Sequence, residues 1–200
     1  MTKVKFCGMM REDDVAAVNE LRPDYIGFIF APESRRYVSP QKAASMKAML
    51  SEDIKAVGVF VDEDITVVED LLAQGIIDIA QLHGNEDEQY IRILKERTGK
   101  PVIKAFGIAS AEDVRSAEAS PADLILLDTP GGGTGRSFDR GLLKDISRPY
   151  ILAGGLDPEN VRAAAEDLHP YGVDVSSGIE TDGVKDRTKM KLFMQEIKSI

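Results

Sequence analysis

Eight short apolar runs recur along this chain at a nearly even pitch, and no other feature limits its fold so much. They cover residues 4–7, 25–30, 56–61, 79–83, 102–106, 124–128, 150–153 and 173–176. Their starts lie roughly 21–31 residues apart, the length of a strand, two loops and a short helix. Several are apolar on both faces, as in Tyr25-Ile26-Gly27-Phe28-Ile29-Phe30. Strands of that kind belong to parallel sheets covered on both sides.

The segments between them carry helical signals. Val15, Val18 and Leu21 share a face. Ser39-Pro40 offers an N-cap with proline at the first helical position, and Ala43, Met46 and Leu50 continue inward. Ile65, Val68, Leu71 and Leu72 form a stripe that stops at Gly75; Tyr90, Ile91 and Leu94 form another before Gly99 and Pro101. Ser110-Ala111-Glu112-Asp113 reads as a capping box, Asp157-Pro158 opens a helix over Val161 to Leu168, and Met190, Phe193 and Ile197 align in the last one. Eight strands alternating with eight helical segments predict an α/β fold, a (β/α)8 TIM barrel of parallel strands and short helices. No linker interrupts the pattern, so 1–200 is read as a single domain. An open doubly wound sheet would need its glycine-rich loop after an early strand, whereas here such loops follow late strands.

A net charge of −9 opposes a nucleic-acid partner, which needs a basic stripe to meet phosphates. No run approaches the ~18 apolar residues of a membrane span. One cysteine forms no internal disulfide, and with no leader pattern at Met1-Thr2-Lys3 the expected location is cytoplasmic.

In a barrel, chemistry sits at the C-terminal ends of the strands. Cys7, Asp128, Gly154-Gly155 and Ser176-Ser177-Gly178 all fall there. The loops after strands seven and eight are where barrels hold phosphate, and glycines let backbone N–H groups approach it. Gly154, Gly155, Ser177 and Gly178 are therefore the phosphate candidates, a means that needs no basic chain. Cys7 and Asp128 pair a competent base with a competent acid across the barrel mouth. By the period of two, Lys5 shares a face with Cys7, Gln81 with His83, and Asp174 with Ser176. Buried polar groups of this kind need a partner or a ligand. Gln81, His83 and Asp174 are read as substrate contacts, and Lys5 calls for either an internal ion pair or a substrate contact. Two histidines, His83 and His169, are too few for a histidine-based metal site, and no metal is expected. Arg36, beside Arg35 after strand two, could clamp an anion. The glycine run at 131–136 lacks the Lys-Ser/Thr of a P-loop and is read as a lid over Asp128.

The chain resembles the phosphoribosylanthranilate isomerase family of tryptophan biosynthesis over essentially its whole length. The resemblance rests on Lys5-Phe6-Cys7-Gly8, Asp24-Tyr25-Ile26-Gly27-Phe28, Ser34-Arg35-Arg36-Tyr37, Gly58-Val59-Phe60-Val61, Gln81-Leu82-His83-Gly84, Leu127-Asp128, Gly132-Gly133-Thr134-Gly135, Ala153-Gly154-Gly155-Leu156 and Val173-Asp174-Val175-Ser176-Ser177-Gly178-Ile179-Glu180. It implies an Amadori rearrangement of N-(5-phosphoribosyl)anthranilate without cofactor or metal. Asp128 would be the general acid at the ring oxygen and Cys7 the base at C2. Arg36 would lie near the substrate, Asp174 near the anthranilate amine, and the four loop residues would hold phosphate. These roles ask for a Cys7 thiol more acidic than usual. Met9-Met10, Arg140 and the extra glycine of Gly131-Gly132-Gly133 depart from the family pattern. They touch loop packing rather than the acid and base. The alternatives are the related histidine-pathway isomerase, which carries an aspartate at the Cys7 position, and a phosphate-binding sensor, which would need neither Cys7 nor Asp128. The expected partner is one small phosphorylated substrate, and a monomer is expected in preference to a homodimer.

Overall fold

The computed structural model describes residues 2–130, 140–143 and 146–200. Eight parallel strands close into a barrel in sequence order: β1 (Lys3–Cys7), β2 (Tyr25–Ile29), β3 (Lys55–Phe60), β4 (Ile79–Leu82), β5 (Val102–Gly107), β6 (Leu124–Asp128), β7 (Tyr150–Leu152) and β8 (Gly172–Val175). The ring closes where β1 pairs with β8, Lys5 opposite Asp174. Several strands end a residue before the apolar runs do. His83 and Ser176 therefore sit just past β4 and β8, at the rim.

The helices are α1 (Glu12–Leu21), α2 (Pro40–Met49), α3 (Ile65–Ala73), α4 (Glu88–Thr98), α5 (Ala111–Ala119), α6 (Val161–Leu168) and α7 (Arg187–Lys198). The expected caps form: the Ser39 hydroxyl accepts from the Lys42 N–H at 3.2 Å, and Ser110 and Asp113 cap each other. Seven α-helices occur among the described residues; between β6 and β7 these include one 3-10 turn, Arg140–Leu143, and the eighth helical segment expected there falls partly outside the described residues. Helix α6 runs from Val161 to Leu168, the expected span, with Asp157-Pro158 just ahead of it. The Asp157 carboxylate accepts from the N–H groups of Glu159 and Asn160, which holds those residues in a turn before the helix. After β8 the chain adds a 3-10 turn, Ser177–Ile179, and a hairpin of β9 (Glu180–Thr181) with β10 (Val184–Lys185).

Apolar residues form two layers. Val57, Ile103, Ala105, Leu126, Ile151 and Ala153 fill the barrel interior. Phe6, Phe28, Phe60 and Phe193 belong to a larger shell between strands and helices, where Phe6 meets Phe193 edge-on at 6.0 Å. This apolar filling is interrupted near the C-terminal ends of the strands, where the polar residues gather.

Candidate active site

The period of two turns Lys5 and Cys7, Gln81 and His83, Asp128, and Asp174 and Ser176 into the barrel. At its C-terminal mouth lies a cavity of ≈ 660 Å³, lined by Cys7, Arg36, Gln81, His83, Asp128, Asp174 and Ser176, with Ile29, Pro32, Val59 and Val61 as an apolar wall. A smaller hollow adjoins it, lined by Gly154, Gly155, Leu156, Ser176 and Ser177. Asp128, Asp174 and Ser176 line both, so the two form one site. A hollow of ≈ 730 Å³ opens at the opposite end, near Tyr150 and Tyr171. Its Arg148 donates to the carbonyls of Glu118, Ser120 and Ala122, which is the work of a structural tie.

Glycines make the mouth close enough for chemistry. Gly154 has φ +83°, and a Cβ there would stand 2.6 Å from Thr129 Oγ1 and 3.1 Å from Asp128 Oδ1. A side chain there would clash with Thr129 and press on the acid. Gly178 does not line the smaller hollow; it lies against Leu156, where a Cβ would stand 1.9 Å from the carbonyl oxygen. Its smallness lets the loops after β7 and β8 meet.

Lys5 resolves as an internal ion pair: its ammonium lies 2.8 Å from Asp174 Oδ1 and is 1 % exposed. Burial works to lower its pKa, but Asp174 and the Cys7 thiol hold it above the ordinary value. The Cys7 expectation is corrected. Burial pushes the thiol above its ordinary value, and the opposing pull of Lys5 does not overcome it. His83 is pushed down by burial, so it is neutral near pH 7. The Gln81 amide donates to its Nδ1 at 3.1 Å, which leaves the imidazole proton on Nε2. That edge faces Asp128 Oδ2 at 3.7 Å, while Asp128 Oδ1 accepts from the Thr129 N–H at 2.7 Å.

Arg36 lines the cavity, but much of its guanidinium is already engaged. Nε and Nη2 donate to Glu180 at 2.6 and 3.0 Å. Lys185 Nζ lies 2.7 Å from the same carboxylate and donates to the Ser176 carbonyl at 2.9 Å; Arg35 adds a contact at 2.9 Å. Burial pushes Glu180 up, yet Arg36 and Lys185 bring it down to about 2. Ser176 Oγ donates to the Cys7 carbonyl at 3.1 Å, so the cluster reaches the end of β1. Sequence reasoning assigned no role to Glu180 or Lys185. A signal for their hairpin was present in Asp182-Gly183, both at positive φ as a tight turn requires. The lid expected at 131–136 lies outside the described residues. Among those described, no cluster suited to a metal ion occurs, and no helix is long and apolar enough to cross a membrane.

Comparison with known proteins agrees with this arrangement. A family profile described as N-(5'phosphoribosyl)anthranilate (PRA) isomerase matches residues 4–196. The N-(5'-phosphoribosyl)anthranilate isomerase of Endomicrobium trichonymphae is 43 % identical, covering 100 % of both chains. That of Clostridium acetobutylicum is 44 % identical over 99 % of this chain and 98 % of its own. The crystal structure of the Thermotoga maritima enzyme superposes with a TM-score of 0.90 at 37 % identity, covering 100 % of each chain. A phosphoribosyl anthranilate isomerase solved in complex with reduced 1-(o-carboxyphenylamino)-1-deoxyribulose 5-phosphate gives 0.89 at 37 % identity, again over 100 % of both chains. Profile, full-length identity and fold agree, and the chain belongs to the N-(5'-phosphoribosyl)anthranilate isomerase family.

Proposed function

We infer that this chain isomerises N-(5'-phosphoribosyl)anthranilate to 1-(2-carboxyphenylamino)-1-deoxyribulose 5-phosphate, an Amadori step of tryptophan biosynthesis. The observation that carries the reading is that Cys7 and Asp128, an acid–base pair on β1 and β6, line one cavity continuous with a glycine-lined hollow. The rearrangement moves hydrogen within one molecule and calls for no redox partner. Asp128 protonates the furanose oxygen, the ring opens, and the anthranilate nitrogen becomes part of a protonated Schiff base. The Cys7 thiolate then removes the C2 proton to give an enolamine, which tautomerises to the ketose. Neutral His83, its proton directed at Asp128 and its other nitrogen held by Gln81, orients the acid. Asp174 meets the amine, and Arg36 meets the carboxylate with the guanidinium edge that Glu180 leaves open. Gly154, Gly155 and Ser177 supply the phosphate cradle from backbone N–H groups and the Ser177 hydroxyl, and Gly178 lets the loops that carry them meet.

The test is a coupled assay. Anthranilate and phosphoribosyl pyrophosphate are joined by a separate transferase, and fluorescence follows consumption of the labile product. Mass analysis showing the carboxyphenylamino-deoxyribulose phosphate supports the reading. Folded, reduced protein without conversion would sink it. The working unit is proposed to be a monomer in the cytoplasm, where a lone thiol stays reduced. The whole described site comes from one chain, and the closed ring offers no sheet edge for a second copy. Sedimentation at a dimer's mass would overturn the monomer.

A further inference from the structure

Lys5 is a lysine ammonium in a largely apolar barrel interior, and filling that space calls for no charge. Val57, Ile103, Leu126 and Ile151 fill the same interior with hydrocarbon. Burying an ammonium there is costly even when it is paired, because the pair must recover the desolvation of both ions. Two residues along the same face of β1 stands the Cys7 thiol. Gly27, opposite Cys7 on β2, leaves the space between the two side chains open. A Cβ on Gly27 would stand 2.8 Å from Cys7 Sγ and 3.3 Å from Lys5 Nζ, so both atoms border one small gap.

We propose that Lys5 is a positioning residue for the isomerisation: its ammonium is the counter-charge that lets the buried Cys7 thiol ionise, with Asp174 as the opposing charge that sets how far. The charged groups around the thiol have definite signs. Lys5 lies on its own strand, Asp174 on β8 and Lys185 on β10, and these three act on it electrostatically. Neutral His83 and Asp128 face it across the cavity from β4 and β6. Arg36 passes over Gly8, its charge already met by Glu180. From β2, Gly27 approaches the thiol and carries no charge. Lys5 favours the thiolate, Asp174 and burial favour the thiol, and the thiol proton departs to solvent through the mouth. When substrate nitrogen becomes cationic beside Asp174, the carboxylate gains a second partner, and Lys5 is drawn toward the thiolate at the moment C2 must be deprotonated. This last step rests on the proposed isomerase reading.

Cys7 is the chain's only cysteine, so any thiol titration reports on it alone. The experiment measures the rate of iodoacetamide alkylation against pH for the wild type, Lys5→Met and Asp174→Asn, each first checked for folding by circular dichroism. The midpoint is expected to rise by about 1–3 pH units in Lys5→Met, the usual effect of losing a close opposite charge. It is expected to fall in Asp174→Asn. A purely structural ion pair would not give shifts of opposite sign. A folded Lys5→Met protein that titrates with the wild type overturns the proposal, as does an unchanged or raised midpoint in Asp174→Asn. Should Lys5→Met fail to fold, the direction in Asp174→Asn decides alone. The titration needs no substrate. Wild-type turnover in Cys7→Ala would therefore remove the catalytic reading and leave the electrostatic one as measured.

Discussion

The two sides of the mouth hold their catalytic groups by different means. On the β1/β8 side, Cys7 sits among fixed charges: Lys5 with Asp174, and Lys185 and Arg36 with Glu180, every one of these side chains no more than 11 % exposed. On the β4/β6 side, Asp128 faces a neutral imidazole whose tautomer is set by an amide. The base must become charged inside a barrel, so it is surrounded by full charges that act over several ångströms. The acid must hold and release a proton, a task served by oriented dipoles. Breaking the Glu180 cluster therefore carries a large electrostatic penalty, and breaking the Gln81–His83 contact a small one.

The largest expected effect ignores that difference, because both groups take part in the reaction. Cys7→Ala and Asp128→Asn are each expected to lower kcat/KM by about 10²–10⁴-fold, the usual contribution of a general base or acid. Steady-state kinetics on folded variants checks this. Near-wild-type turnover in either would show that the pair does not form the acid and base. Thermal stability should separate the two, because Cys7→Ala leaves a small cavity whereas Asp128→Asn keeps the side chain's shape.

The next effect is on stability and belongs to the Glu180 cluster of the base side. Glu180→Gln leaves Arg36 and Lys185 buried without their counter-charge, at a cost of about 3–5 kcal/mol. Urea unfolding at pH 7 reads it, and a loss under 1 kcal/mol would mean the cluster relaxes toward water. The same carboxylate gives an acid limb. Its folded value, about 2, lies below the ordinary 4.5, so its stabilisation is present above about pH 4.5. That contribution, on the order of 3 kcal/mol, fades as pH falls from 4.5 toward 2. The gap between wild type and Glu180→Gln should narrow across that window. A gap that stays constant would assign the acid sensitivity to other carboxylates.

These contrasts also mark what the sequence could reveal. The barrel was legible because strands buried on both faces leave apolar runs, and because Ser39, Ser110 and Gly99 are local punctuation that acts within a few residues. The inward set of Lys5, Cys7, Gln81, His83 and Asp174 followed from the period of two. Roles on those residues came from the order of the motifs, which tied short peptides far apart in the chain to one chemistry. The base-side cluster was hidden for a physical reason: Arg36 and Glu180 are 144 residues apart, and nothing local to either announces the other. The direction of the Cys7 shift was misjudged for a similar reason. The thiol's role demands acidity, whereas its burial is a product of the closed ring.

The smallest expected effect tests the acid side's construction. Gln81 is 1 % exposed, and its amide N–H holds His83 Nδ1. Its Oε1, by contrast, is buried without a hydrogen-bond partner among the described residues. Gln81→Met removes a neutral hydrogen bond with a net worth of about 0.5–1.5 kcal/mol. It also removes an acceptor whose unmet desolvation costs about 1–3 kcal/mol, so the two changes largely cancel. The side chain's length is nearly kept, and Met adapts to small misfits. Stability should therefore stay within about 1 kcal/mol of wild type, well short of the Glu180→Gln loss. Turnover should fall, because an imidazole without the amide can place its proton on either nitrogen and only one of those tautomers faces Asp128. The fall should be smaller than in Asp128→Asn, since the acid itself remains. A calorimetric melt and kcat on the same preparation separate the two quantities. A loss of several kcal/mol would mean that the acid side, too, is held by an electrostatic clamp, and the contrast between the two halves of the mouth would fail.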